Sequence, residues 1–144
     1  MKKGLSFLVI FLITTTFLIG CSTKVLKESD VLFADEMVEN VLIAHNNNDY
    51  EMWKKDMDQV MINAIPTKEK FEEGFKQIKD KIGDYIPKSK TFLAAVSQKG
   101  TIVVQYMAKF TNEEQVKLTF SFKDVNGAKK IVGEFFDSEK LRKK

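Results

Sequence analysis

A chain of 144 residues that is 44% hydrophobic and 11% aromatic has apolar material for one packed core and is too short for a second domain of ordinary size. Its formal charge of +3 comes from 23 basic and 20 acidic side chains mixed along the sequence, so charge gives no support for nucleic-acid binding, which needs a basic domain and a clustered patch. The single cysteine, Cys21, excludes an internal disulfide framework and cysteine-based zinc sites.

Lys2 and Lys3 open the chain with positive charge, and Leu5 to Ile19 is an apolar run relieved only by Ser6 and Thr14-Thr15-Thr16. A spanning helix needs about 20 apolar residues to cross a ~30 Å hydrocarbon core. This run is shorter and ends in polar Ser22-Thr23-Lys24, so it reads as a cleaved leader. Its closing residues, Leu18-Ile19-Gly20-Cys21, resemble the lipobox of a bacterial lipoprotein. The resemblance implies cleavage of residues 1–20, diacylglycerol on the Cys21 sulfur, acylation of the freed amine by a chain such as palmitate, and a place on the extracytoplasmic side of the cell membrane. A plain secretory peptide is the alternative. Two or more acyl chains hold a protein stably on a bilayer, whereas one binds marginally. The leader carries two basic residues and no acids, so the mature chain is close to neutral.

Residues 21–29 are polar without a sustained apolar period and read as a tether, able to lift a domain ~25 Å from the bilayer. Asp30 is placed to cap a first helix on which Phe33, Met37, Val41 and Ala44 recur at helical spacing, with Val38 and Leu42 beside them. That helix should stop in His45-Asn46-Asn47-Asn48-Asp49. Asp49 can cap an irregular second helix from Tyr50 to about Ala64, its buried side being Trp53, Met57, Val60 and Met61, and Pro66 ends it. Thr67 caps a third helix, in which Phe71, Phe75, Ile78 and Ile82 form one stripe terminated by Gly83.

After Pro87 the apolar period changes from helical to two, giving strands over roughly 91–98, 101–110, 115–123 and 129–137. Lys99-Gly100 and Asn126-Gly127 are tight hairpin turns. Ile102, Val104, Tyr106, Ala108 and Phe110 share a side with Val116, Leu118, Phe120 and Phe122, and that side must meet the helices. The expectation is an α+β domain over 30–137, with three N-terminal helices on one face of a four-stranded antiparallel meander and a basic tail at 138–144.

This order resembles the nuclear-transport-factor-2-like, or cystatin-like, cone, in which helices curl into a bent sheet. The residues carrying the resemblance are Ala34-Asp35-Glu36-Met37, the Asn47-Asn48-Asp49-Tyr50 turn, Phe71 and the strand pattern up to Phe136. Bacterial lipoproteins of unknown function carry small domains of this type. The resemblance implies a space between helices and sheet, which Trp53, Tyr85 and Tyr106 would edge, each with a ring and a polar tip.

The candidate sites are few. His45 is the only histidine and sits at a helix end, where capping the last carbonyls explains it. Asp124-Val125-Asn126-Gly127 begins like a calcium loop, but Phe135 stands where the bidentate glutamate belongs, so it is a hairpin and no metal or cofactor is expected. Asp35, Glu36 and Glu39 belong to the wet face of the first helix. On the outer sheet face Leu93, Val103, Met107, Val132 and Phe136 alternate outward, a surface for a homodimer or a protein partner. The leading expectation is a lipid-anchored, non-enzymatic domain that binds an apolar small molecule or a protein. The alternative is a small enzyme of the same superfold, with His45, Asp56 or Asp58 turned inward beside Tyr106.

Overall fold

A computed structural model describes residues 22–143. Cys21 and the leader before it lie outside the described residues, as does Lys144. The chain forms one five-stranded antiparallel sheet in meander order: β1 (Thr23–Leu26), β2 (Thr91–Gln98), β3 (Thr101–Phe110), β4 (Glu113–Val125) and β5 (Ala128–Asp137). Between β1 and β2 come α1 (Leu32–Asn47), α2 (Tyr50–Asp56), α3 (Gln59–Ala64) and α4 (Lys68–Ile82), and α5 (Glu139–Arg142) follows the sheet.

The helices form where their signals lie. α1 buries Ala34, Val38, Val41, Leu42 and Ala44 and ends where Asn48 takes a left-handed conformation, as asparagine readily does. The Asp49 carboxylate accepts from Met52 N–H to open α2, and Thr67 Oγ1 accepts from Lys70 N–H to open α4. Both hairpin turns have two consecutive residues at positive φ, Lys99-Gly100 and Asn126-Gly127, as their primed geometry demands.

Four expectations are corrected. The residues read as a tether hold the edge strand β1, with Val25 opposite Val96 and Leu26 opposite Ala95. Its four residues are too short for a periodicity signal, and only pairing with β2 defines it. Asp30 does not cap α1; it closes a 3-10 turn in which its carboxylate accepts from Lys27 N–H, and Val31 takes the cap position. The second helix breaks at Met57, which bridges to Ile131 while Asp58 N–H donates to the Ile131 carbonyl, so sheet pairing splits it into α2 and α3. The tail begins as α5, with the buried Ser138 accepting from Leu141 N–H and Leu141 packed on the core.

The core lies between the helices and the inward face of the sheet, where Val104, Val116, Leu118, Phe120, Phe122 and Ile131 are fully buried. The strand faces follow the sequence pattern on β3 and β4. On β5 they change. Ser121 pairs with Gly133 but the next residue, Phe122, pairs with Ile131, so Val132 is an extra residue in a bulge. Beyond the bulge the phase reverses: Glu134 stands opposite Phe120 and Phe136 opposite Leu118, both on the inward side, while Phe135 turns out and is 63% exposed.

Candidate functional site

The bulge carries Glu134 under the sheet, where its side chain is 4% exposed. Trp53, fully buried on α2, donates from Nε1 to Glu134 Oε1 at 3.0 Å. His45, in the last turn of α1, lies with Nε2 at 3.1 Å from Glu134 Oε2. A carboxylate only accepts, so this contact puts a ring proton on Nε2. Nδ1 is buried and has no hydrogen-bond partner among the described residues. The imidazole is sandwiched by aromatic rings, stacked on Phe71 at 5.2 Å between centroids, 3.7 Å from Phe75 and edge-on to Phe136 at 5.8 Å. His45 therefore does not cap its helix; its ring points into the core, and Asn48 ends α1 instead.

Beside this pair a pocket of about 420 Å³ opens between α4, the end of α1 and the sheet. Phe75, Phe110, Phe136, Ile78 and the His45 ring give it an apolar floor. The mouth is charged, with Glu69, Glu72, Glu73 and Asp80 from α4 and Lys76 bonded to Asp80 at 2.6 Å. Asn46 fixes the near wall: its amide donates to the Tyr85 carbonyl and accepts from Tyr85 N–H, each at 2.8 Å. Gly83, at φ +79°, turns the chain from α4 along the rim, with Thr111 Oγ1 against its backbone.

A second polar cluster lies near the start of β2. Glu39 accepts from Tyr85 Oη at 2.9 Å, from Lys88 N–H at 2.9 Å and from Lys90 Nζ at 2.8 Å, and Lys90 also reaches Asp35 at 2.9 Å. Glu39 is thus largely enclosed, not on the wet face of α1. Burial pushes its carboxyl up, but the Lys90, Lys88 and Tyr85 hydrogen bonds together outweigh it and hold the group below the usual 4.5. Burial first, and then the Glu39 hydrogen bond, pushes the Tyr85 hydroxyl well up. A depressed carboxylate contributes stability above its unfolded value and loses it as pH falls through the folded one. Glu39→Gln should therefore lower the melting temperature at neutral pH, with the gap to wild type closing below about pH 4.5. Melts of both proteins across that range check it; a gap independent of pH would refute the assignment.

Of the three aromatics expected at a cavity edge, Trp53 flanks the Glu134 site, but it is fully buried. Tyr85 and Tyr106 are buried and do not line the pocket, Tyr85 being bonded to Glu39 and Tyr106 lying 5.8 Å from Lys90 Nζ. Asp58 caps α3 through Val60 N–H, and Asp56 ends α2. On the outer sheet face Leu93 is 46% exposed, Val103 and Met107 are half-buried, and Val132 occupies the bulge. Phe136 is corrected: the bulge turns it inward onto the pocket floor, and Phe135 takes the outer position. Glu134, the residue that sequence reasoning missed, had a signal in Gly133, since a glycine inside a strand marks a bulge.

Residues 38–133 match the family described as "Protein of unknown function (DUF3887)". The chain belongs to that family. The match spans α1 to the bulge of β5 and so includes His45, Trp53 and the pocket wall of α4, while Glu134 follows it directly. No curated protein and no solved structure matches the chain. Among the described residues no three His, Cys, Asp or Glu side chains gather as metal ligands, and no helix is long and apolar enough to cross a membrane.

Proposed function

We propose that this protein is a lipid-anchored, extracytoplasmic binding domain that takes a small apolar ligand in the pocket between α4 and the sheet. One observation carries the reading: a space of about 420 Å³ has an aromatic floor of Phe75, Phe110 and Phe136 and a charged mouth. Such a site buries an apolar body and leaves a polar end at the rim. Helices packed on one face of an antiparallel meander support the cystatin-like cone, and the sequence Leu18-Ile19-Gly20-Cys21 supports the anchor.

The test uses the dye anilinonaphthalene sulfonate, which fluoresces in apolar surroundings. Saturable binding of one dye per chain is expected, weakened about ten-fold, or ~1.4 kcal/mol, by Ile78→Asp at the pocket wall. Phe75→Ala serves as the second variant. Binding that is unsaturable, or unchanged in both variants while they stay folded, would overturn the proposal.

The His45–Glu134 contact favours a second reading, a small hydrolytic or isomerising enzyme with His45 as base. It requires a substrate to reach His45 Nδ1, an atom enclosed by Phe71 and Phe75. Turnover of a substrate that His45→Gln abolishes without loss of dye binding would decide for it.

A further inference from the structure

The edge strand β1 starts two residues after Cys21, so the reach between the attachment point and the folded sheet is about 7 Å, not the length of a free tether. Register then identifies which end of the domain this short leash holds. Thr23 pairs with Gln98, Gln98 with Thr101, Thr101 with Lys123 and Lys123 with Lys130, one row running across the whole sheet. The β2–β3 turn at Lys99-Gly100 and the β4–β5 turn at Asn126-Gly127 project from the same end.

The strand ends and turns here, residues 22–24, 98–101 and 123–130, carry five lysines against one carboxylate, Asp124, and the α2–α3 junction joined to Ile131 beside them is balanced, with Lys54 and Lys55 against Asp56 and Asp58. Lys129 is bonded to Asp124, and Lys130 Nζ donates to the Lys55 carbonyl at 2.8 Å. Lys24, Lys99 and Lys123 are exposed and have no ion-pair partner among the described residues. Beside them on the edge strand, Val25 is 79% exposed.

We infer that this end of the sheet is a membrane-contacting face, docking Lys24, Lys99 and Lys123 against anionic lipid headgroups and thereby standing the domain with its pocket away from the bilayer. The inference rests on the lipid anchor proposed above. Its physical basis is distance and charge. A leash of about 7 Å keeps Lys24 within a Debye length, ~8 Å at physiological salt, of a surface that attracts cations, and standing the sheet on this end brings Lys99 and Lys123 down to the same surface. The opposite end, where α4, Phe110 and Phe136 border the pocket, then faces outward. The charge of the leader does not enter, because the three lysines follow the cleavage point.

The experiment takes full-length protein purified from membranes, with the mass of its N-terminal peptide measured, and reconstitutes it into vesicles. One set contains equal parts phosphatidylglycerol and phosphatidylcholine, the other phosphatidylcholine alone. A membrane-impermeant acylating reagent then labels lysines, with exposed Lys109 at the other end of β3 as reference. On anionic vesicles Lys24, Lys99 and Lys123 should label about five-fold more slowly than Lys109, the factor expected for one lysine's attraction to an anionic surface. On neutral vesicles the difference should shrink, and in Lys99→Glu/Lys123→Glu the protection of Lys24 should be lost. Equal labelling at both ends, on protein whose Cys21 peptide carries the diacylglyceryl mass, would overturn the orientation alone. An unmodified Cys21 peptide would overturn the anchor and the orientation with it. Protection equal on both vesicle types would refute the role of charge.

Discussion

Glu134→Leu is expected to destabilise the domain by about 3 kcal/mol, because it strands two buried donors at once. Trp53 Nε1–H and His45 Nε2–H both end on this carboxylate, and neither indole nor imidazole has a second acceptor described nearby. Each buried donor without a partner costs about 1–3 kcal/mol, against which the added leucine recovers some apolar burial. Glu134→Gln keeps an acceptor for Trp53, and its amide can donate to His45 after the imidazole proton moves to Nδ1, so its cost should be nearer ~1 kcal/mol. Urea midpoints of the two variants check the ranking. The double variant His45→Phe/Glu134→Leu sharpens it: it removes one of the two stranded donors, so its loss should be smaller than the sum of the single losses. A leucine variant as stable as wild type would show that the carboxylate contributes nothing net to stability.

Gly83→Ala should cost about 2–3 kcal/mol, since its backbone region is nearly exclusive to glycine. At φ 79° and ψ −158° a side chain is strained whatever the space. Here there is also no space, because a Cβ would overlap Thr111 Oγ1, the atom that accepts from Asp84 N–H at 3.0 Å. Thr111→Ala should relieve the overlap but not the dihedral strain. The paired variant is therefore expected to lie between Gly83→Ala alone and the additive sum, and denaturation midpoints read the difference. Because Gly83 lies on the pocket rim, dye affinity should fall along with stability. An alanine variant indistinguishable from wild type would mean that the turn after α4 reshapes freely.

Gly83 and Glu134 lie on opposite sides of what local pattern specifies. For α4 the sequence carries every instruction: Thr67 at its start, the Phe71–Phe75–Ile78–Ile82 stripe, and Gly83 at its end, all seen in place. The hairpin turns are equally local, since only residues at positive φ suit their twist. The inward faces of β3 and β4 follow from alternation alone. The candidate site is different. Read as uninterrupted alternation, β5 sends Glu134 and Phe136 to the outer face, and one bulged residue at Val132 reverses both.

What the amino-acid order determined by itself is everything with a short physical cause: the caps of α2 and α4, the stripe of α4, the hairpin turns and the antiparallel meander. What only the tertiary structure decided depends on partners distant in sequence. β1 exists because β2 offers it an edge, α2 and α3 part because Met57 pairs with Ile131, and Glu134 meets His45 and Trp53 across separations of 89 and 81 residues. A strand's register is fixed by its neighbour as much as by its own residues, so a single inserted residue can turn an apparent surface acid into the buried centre of a site.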